Sequence, residues 1–505
     1  MTNLKSLAKD TAIYGMSSII GRFLNYLLVP LYTAKLSAAS GGYGIITNVY
    51  AYTALLLVLL TYGMETTFFR YANKEEEKPM QVYSTTLIMV GFTSLLFIAC
   101  VLGFLSPIAS FLGYSQHPEY IGIMAVCVAI DAFQCIPFAY LRYKKRPIKF
   151  ASLKILFIVM NIFLNVLYFV WLPALYKSYP DIIGHFYNPQ VGVGYAFGLN
   201  LVCTASITVF FWPELTGFKY VFDKQLMKRM LSYSWPILVL GIAGILNQTI
   251  DKIIFPLVYQ GDPTGLNSAQ GQLGIYGACV KVAMIMAMIT QAFRYAYEPF
   301  VFGKSKDKDS KQTYAVAMKY FVIFTLFAFL IVMFYIDLLK IVIIRDPDYW
   351  VGLRVVPIVM AAEIMMGIYF NLSFWYKLID KTIWGAWFSG AGCLVLITIN
   401  LLFIPRFSYM ACAWAGFAGY ATAMLLSYFV GQKKFPIHYD LAGIGKYILL
   451  AGILYALSCN VPNWGLAVRL GINTILLFVF MAYIIKKDFP LSQIPVIGRY
   501  FNKRK

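Results

Sequence analysis

Apolar residues follow one another along this chain in long runs that lack the two-residue alternation of a half-buried strand. The runs at residues 53–60 and 320–334 are typical. A strand of a membrane barrel alternates lipid-facing and lumen-facing side chains, whereas a helix crosses the hydrocarbon core with about 20 apolar residues. The pattern therefore predicts transmembrane helices, which satisfy their own backbone hydrogen bonds inside the bilayer.

About fourteen such segments are predicted, each close to the length of one crossing. We place them near residues 10–35, 42–65, 84–106, 119–142, 150–172, 191–212, 230–256, 274–300, 313–337, 352–375, 384–404, 410–430, 443–459 and 466–486. The predicted fold class is an all-α polytopic membrane protein. An even number of crossings places both termini on the same side of the membrane.

Composition and charge agree with this prediction and give the helices a direction. The chain is 60% hydrophobic and 13% charged, and its formal net charge is +20. One set of short connectors carries many basic residues, near 70–78, 142–149, 219–229, 304–311, 377–381 and 433–434, whereas the other set is nearly bare. By the positive-inside rule both termini face the cytoplasm. The positive charge meets anionic lipid head groups, so it predicts no nucleic-acid partner.

An offset of 233 residues aligns the second predicted helix with the eighth. The aligned positions include Tyr43 with Tyr276, Gly44 with Gly277, Val49 with Val282 and Glu65 with Glu298. Two related halves around a central site are common in transporters. We therefore predict two parallel six-helix bundles, at residues 1–212 and 213–430. Residues 431–505 add two helices and a basic cytoplasmic tail.

Three basic residues are predicted at membrane depth, where a charge costs about 2.5–3.5 kcal/mol on insertion scales. They are Arg22, Lys252 and Lys281. Together they could form a cationic lumen that binds phosphate and sugar hydroxyls through charge-assisted hydrogen bonds. The sequence leaves open a structural alternative, in which Asp251 neutralises Lys252 or Lys281 and Arg22 pairs with an intramembrane acid.

Acidic residues in the predicted helices are candidates for ion coupling or gating. Asp131 and Glu363 are isolated acids near mid-span, and each could bind Na⁺ or a proton or could be held as a neutral buried carboxyl. Asp251 belongs to the same group of candidates. Glu65 and Glu298 occupy equivalent places at helix ends, where either a shared gating role or helix capping and salt bridging would explain them.

Several motifs together resemble the polysaccharide exporter family. They are Tyr14-Gly15, Arg22, the run at residues 28–33, Tyr43-Gly44, residues 62–66, Asp251-Lys252, residues 274–277, residues 291–294 and Glu298-Pro299. That family belongs to the superfamily of multidrug, oligosaccharidyl-lipid and polysaccharide (MOP) exporters. The resemblance implies two six-helix bundles around a central cavity. It also implies export of an oligosaccharide on undecaprenyl diphosphate across the bacterial inner membrane by alternating access.

The resemblance further implies a role in surface polysaccharide synthesis, for O-antigen, capsule or exopolysaccharide. A polysaccharide polymerase and a chain-length regulator would then be partners, and no cofactor is expected beyond a coupling Na⁺ or H⁺. The last two helices resemble those of the lipid II flippases, so a lipid II flippase or a multidrug antiporter is the alternative function. A membrane polymerase or ligase is disfavoured, because His117 and His185 in external connectors lack convergent partners.

Overall fold

The structure of this chain is a computed structural model that describes residues 26–74, 78–304, 310–379, 381–462 and 465–488. Within these ranges the regular elements are helices, apart from one isolated bridge between Asp262 and Ser268. Twelve of the described helices are long and apolar enough to cross a bilayer, and Gly194–Val209 is a shorter apolar helix. The chain is therefore an all-α polytopic membrane protein, as predicted.

The helices of the first half alternate long apolar segments with short connecting ones. They are α1 (Leu28–Lys35), α2 (Gly42–Thr61), α3 (Met64–Ala72), α4 (Pro79–Gly103), α5 (Leu105–Phe111), α6 (Pro118–Tyr143), α7 (Pro147–Val166), α8 (Leu172–Ser178), α9 (Pro180–Ile183), α10 (Gly194–Val209) and α11 (Trp212–Leu215). A π-helical turn, Leu167–Trp171, joins α7 to α8.

The second half follows the same pattern. Its helices are α12 (Lys224–Val258), α13 (Ala269–Lys304), α14 (Ser310–Phe334), α15 (Ile336–Ile343), α16 (Val356–Leu372), α17 (Phe374–Leu378), α18 (Ile383–Phe407), α19 (Tyr409–Lys434), α20 (Leu441–Cys459) and α21 (Leu466–Lys487). These bounds lie within a few residues of the predicted crossings. Only the end of the first predicted helix, 10–35, falls within the described residues.

Local chemistry explains where several long helices begin. Pro79, Pro118 and Pro147 each occupy the first helical position, where proline loses no hydrogen bond and its fixed φ suits the helix. Asp223 caps α12, because its carboxylate accepts hydrogen bonds from two backbone amides of the first turn. Proline and a capping carboxylate therefore fix the starts of these four helices.

The second predicted helix is broken near its end. Tyr62 and Gly63 both take left-handed backbone conformations, with φ of 32° and 72°, so α2 stops and α3 begins in a new direction. Gly63 also lies against α12, because a β-carbon at this position would come within 2.9 Å of Ile237. The Tyr62-Gly63 pair therefore serves as a joint whose second position requires a residue without a side chain.

The described chain divides into two compact units. Among the described residues, the first unit consists of those up to 278 with 345–351 and 396–412, and the second of those in 279–344, in 352–395 and from 413 onward. The bundle boundaries predicted from the repeat, 1–212, 213–430 and 431–505, follow sequence similarity rather than spatial contact. That division stays a prediction.

A buried carboxylate fastens the first unit at one end of its helices. Glu214 is 4% exposed. It accepts hydrogen bonds from the Lys149 ammonium at 2.8 and 2.6 Å, and Arg146 lies 3.7 Å away. The Tyr83 hydroxyl donates to the Glu214 carbonyl at 2.9 Å. These contacts join α4 and α7 to α11, and they satisfy a charge that would be costly to bury alone.

In the second unit, α20 and α21 are fastened to α14 by an ion-pair cluster. The Lys319 ammonium lies 2.6 Å from Asp488 and 3.0 Å from Asp440. The Tyr447 hydroxyl donates to Asp488 at 2.5 Å. Asp440 also caps α20, and the hydrogen bond from the Gly443 amide, with the neighbouring Lys319, holds the pKa of its carboxyl below the usual range.

The other end of the same helices carries a second set of contacts. The buried Asn473 donates to the Phe334 carbonyl at 2.9 Å and accepts from Ser458 at 2.7 Å. Arg469 pairs with Asp337 at 3.0 Å. The terminal helix pair is therefore fixed to α14 and α15 at both ends, and it belongs to the body of the second unit.

Candidate functional site

The two repeated Tyr-Gly motifs lie against each other within the first unit. A β-carbon at Gly44 would lie 1.8 Å from the Gln270 carbonyl oxygen, and one at Gly277 would lie 2.5 Å from the Thr47 hydroxyl. The first turns of α2 and α13 therefore touch through bare backbone. This explains why both repeats carry glycine at equivalent positions.

A layer of hydrogen bonds adjoins this contact. Asn48, which is 1% exposed, donates to the Lys252 carbonyl at 2.7 Å and accepts from the Tyr114 hydroxyl at 2.7 Å. Gln270 donates to the same hydroxyl at 3.2 Å. The layer joins α2, α12 and α13 to the connector between α5 and α6.

Lys252 lies in an ion pair with its neighbour in sequence. Its ammonium is 3.0 Å from both carboxylate oxygens of Asp251 and 3.0 Å from the Gln248 carbonyl oxygen. The Tyr276 hydroxyl donates to Asp251 at 2.7 Å, and the Tyr276 ring lies 5.7 Å from the ammonium. This is the structural alternative that the sequence left open. The charge of Lys252 is compensated locally, so a phosphate would have to compete with Asp251 for it.

These contacts hold helices together at one end of the first unit. On the predicted topology α2 and α13 begin, and α12 ends, at the external face. We name the set of Gly44, Asn48, Tyr114, Lys252 and Gln270 the external layer. It combines close glycine packing with satisfied polar groups, so it can separate only by breaking several hydrogen bonds at once.

A second polar region surrounds Asp131 in the interior of the first unit. Asp131 on α6 accepts a hydrogen bond from Thr204 on α10 at 3.2 Å. Gln134 donates to the Thr204 carbonyl at 2.7 Å. Lys154 on α7 places a positive charge nearby, with its ammonium 4.0 Å from the centre of the Phe138 ring. Asp131 is therefore not the isolated acid that the sequence suggested.

Buried amides extend this region across four helices. Tyr32 donates to Asn165 at 2.8 Å, Asn165 to Asn161 at 2.7 Å, and Asn161 to Asn200 at 3.2 Å. Asn200 then donates to the Cys127 sulfur at 3.4 Å. The chain reaches from α1 through α7 and α10 to α6. Such amides hold helices together where lipid offers no alternative partner.

The remaining predicted site residues are Glu65, Lys281, Glu363, Arg22 and Glu298. Glu65 pairs with Arg142, so α3 is joined to the end of α6. Lys281 and Glu363 are half-buried residues of the second unit. Arg22 and the side chain of Glu298 lie outside the described residues. Of the predicted site residues, the structure brings Asp251 and Lys252 together, and the shared cationic lumen stays a prediction.

A family model described as "Polysaccharide biosynthesis protein" matches residues 7–302, which is more than half of the chain. This chain belongs to the polysaccharide biosynthesis protein family. The match includes both Tyr-Gly motifs, the external layer and Asp131. It confirms the family resemblance that the sequence motifs carried.

Comparison with solved structures shows which fold the chain adopts. A lipid II flippase MurJ in an inward closed conformation is 13% identical, with a TM-score of 0.70 over 94% of this chain and 98% of that one. The MATE multidrug transporter DinF-BH is 16% identical, with a TM-score of 0.58 over 84% of this chain and 95% of that one. An inward-facing MATE transporter of the MOP superfamily is 13% identical, with a TM-score of 0.56 over 86% and 96%.

Among curated proteins, none matches this chain by sequence. At these identities the solved structures establish the fold, which is that of the MOP superfamily. The family member described here therefore shares its helical architecture with both lipid flippases and drug exporters.

Sequence reasoning missed most of the external layer. Asn48 is a buried amide within an apolar crossing, one turn beyond Gly44, and this position could have indicated an interhelical contact. Tyr114 and Gln270 gave no such signal, because they lie at helix ends where polar and aromatic residues are common. Their meeting depends on the packing of α2 against α12 and α13.

Proposed function

We propose that this protein translocates an oligosaccharide linked to undecaprenyl diphosphate across the bacterial inner membrane by alternating access. The product would serve the synthesis of a surface polysaccharide. Both termini would face the cytoplasm, and a polymerase and a chain-length regulator would act on the exported lipid. No catalytic step is required of the chain itself.

The main support for this proposal is the external layer. It occurs in a chain that belongs to a polysaccharide biosynthesis family and has the MOP fold. A transporter that alternates between two faces needs a closure that forms and breaks as a unit. The external layer has this property, because its glycine contact and its hydrogen bonds depend on the same approach of α2 to α13. Its polar groups also suit the passage of a hydroxyl-rich head group.

Ion coupling is part of the proposal. Asp131 supplies a half-buried carboxylate beside the Thr204 hydroxyl and near a chain of hydrogen-bonded amides. Carboxylate, hydroxyl and amide oxygens can hold Na⁺, and the carboxylate can take a proton. We propose that Na⁺ or H⁺ at this position is coupled to the movement of the lipid-linked glycan, as expected for an intramembrane acid.

The test of the transport function is translocation of an undecaprenyl diphosphate oligosaccharide in vesicles that contain the purified chain. Protection of the glycan from an external enzyme measures its movement. Vesicles with the wild-type chain should move the glycan, and vesicles without protein should not. Failure to move it, in a folded and correctly inserted protein, would contradict the proposal.

A double-mutant cycle decides the role of Lys252. Lys252→Met should reduce translocation, whether Lys252 binds substrate or only neutralises Asp251. The double variant Asp251→Asn with Lys252→Met removes both charges, so it no longer contains the unpaired acid that the single variant leaves. Recovery in the double variant indicates a structural pair, and continued loss indicates substrate contact. Lys177→Ala, at an exposed position on α8, is the matched control.

Lipid II transport is the second candidate function. It is favoured by the similarity to the MurJ fold over 94% of this chain. Competition in the same vesicles separates the two. Translocation of lipid II, with no response to other undecaprenyl-linked glycans, would replace the first proposal by the second.

A further inference from the structure

An apolar cavity opens between α2, α4 and α12, within the first unit. Its volume is about 680 Å³, which lies within the usual range of about 300–1,000 Å³ for small-molecule sites. Phe92, Leu231 and Trp235 line it with exposed fractions of 66%, 39% and 65%. These side chains face a concave space rather than a flat lipid-facing surface. We name this cavity the α12 groove.

One face of α12 runs along the groove and changes character from charged to apolar. Lys224, Lys228, Leu231, Trp235 and Leu238 follow one another at intervals of four, three, four and three residues. Residues at such intervals share one face of a helix. The two lysines are exposed and stand at the start of the helix, and the three apolar residues that follow line the groove.

The two lysines are available to a ligand. Among the residues that the structure describes, neither lysine has an acid within ion-pair distance. Their nearest acidic neighbour in sequence, Asp223, is engaged by two backbone amides at 2.8 and 3.0 Å and by Gln81 at 2.9 Å. On the predicted topology this end of α12 is cytoplasmic, at the level of the head groups. An anion above the groove would therefore meet uncompensated positive charge.

We propose that the α12 groove holds the polyprenyl chain of a polyprenyl diphosphate lipid, with Lys224 and Lys228 bound to its two phosphates. The proposal rests on the proposed function and names the place where the lipid part of that substrate docks. Side chains one helical turn apart have β-carbons about 5–6 Å from each other. Two flexible lysine side chains that start this close together can both reach one diphosphate, whereas a membrane phospholipid offers a single phosphodiester.

The experiment uses the full chain with the photoreactive residue p-benzoylphenylalanine in place of Phe92. The matched control carries it in place of Phe163, which is 52% exposed on α7 outside the groove. Both proteins are reconstituted in vesicles of phosphatidylethanolamine and phosphatidylglycerol with added undecaprenyl diphosphate. After illumination, mass spectrometry identifies the adducts.

We expect the adduct of undecaprenyl diphosphate to be about tenfold more abundant at position 92 than at position 163, given the attraction of two lysines for the head group. The double variant Lys224→Gln with Lys228→Gln should remove most of this excess. Equal labelling at the two positions would overturn the proposal. So would phospholipid adducts that undecaprenyl diphosphate does not displace, or a crosslink to a peptide of this chain.

Translocation is measured separately, so the two proposals can fail independently. Specific labelling of the groove without glycan translocation would overturn the proposed function and leave the groove assignment standing. Translocation that is unchanged in the double lysine variant, with equal labelling at both positions, would overturn the groove assignment and leave the function standing.

Discussion

Gly44→Ala is expected to open the external layer. A β-carbon at this position would lie 1.8 Å from the Gln270 carbonyl oxygen, whereas real β-carbons essentially never approach such atoms within 3.0 Å. The starts of α2 and α13 must therefore separate by at least about 1.2 Å. Because the atom that blocks the methyl group belongs to the backbone, no side-chain rotation can relieve the clash.

The size of the effect follows from the cost of overpacking, which is typically about 1–3 kcal/mol. A cost of that size, applied to the closed state alone, lowers its population relative to the open state by about 5- to 150-fold. The helix propensity of alanine does not oppose this shift, because α2 is helical on both sides of the equilibrium. Gly277→Ala should have a smaller effect, since it meets the movable Thr47 side chain.

Cysteine labelling from outside the cell measures the shift. Cys412 lies near Asp251 and Lys252 and is 1% exposed, so a membrane-impermeant maleimide should modify it slowly in the wild-type chain. In Gly44→Ala the rate should rise at least severalfold. Cys203 is 0% exposed in the interior, and its continued protection shows that the chain has not unfolded.

Gly198→Ala is the matched control, because a β-carbon at Gly198 meets no atom within 4 Å. The reasoning is refuted if Gly44→Ala labels Cys412 no faster than Gly198→Ala does. It is also refuted if Cys203 becomes reactive together with Cys412, because general unfolding would then account for the change.

Three further substitutions test contacts within each of the two units. Lys319→Met should leave the half-buried Asp488 without its ammonium partner and lower the free energy of unfolding by about 1–3 kcal/mol, measured by thermal unfolding in detergent; an unchanged midpoint would show that the pair is not formed. Asn473→Leu should cost about 1–3 kcal/mol through the unpaired Phe334 carbonyl, and proteolysis of the terminal helices should report it. Glu214→Gln should lower the free energy of unfolding. Because the carboxylate is buried, this loss should depend on salt less than the loss of a surface ion pair does. An unfolding curve identical to that of the wild-type chain would contradict this.

The crossings were predictable because bilayer thickness fixes their length and apolar runs mark their places. The break at Tyr62-Gly63 was not, because the contact that excludes a side chain at Gly63 is with Ile237 on another helix. The Tyr-Gly repeat, in contrast, was visible in the sequence. Its physical reason, contact between two helix starts, required the structure.

The candidate site was predicted only where partners are neighbours in sequence. The sequence alone suggested the ion pair of Asp251 and Lys252, because the two residues are adjacent. The hydrogen bond between Asn48 and Tyr114 gave no such indication, because these residues are 66 positions apart. The surroundings of Asp131 were also hidden, since Thr204 and Lys154 come from other helices. In a helical membrane protein side-chain partners are set by helix neighbours, and hydropathy alone carries no information on which helices are neighbours.

The contacts of α20 and α21 with α14 limit how the chain could be shortened during evolution. Deleting the pair would leave the Lys319 ammonium without Asp440 and Asp488 and the Phe334 carbonyl without the Asn473 amide. A relative that ends after its equivalent of α19 is therefore expected to carry an uncharged residue in place of Lys319. Loss of the two helices and loss of that lysine should appear together among homologous sequences.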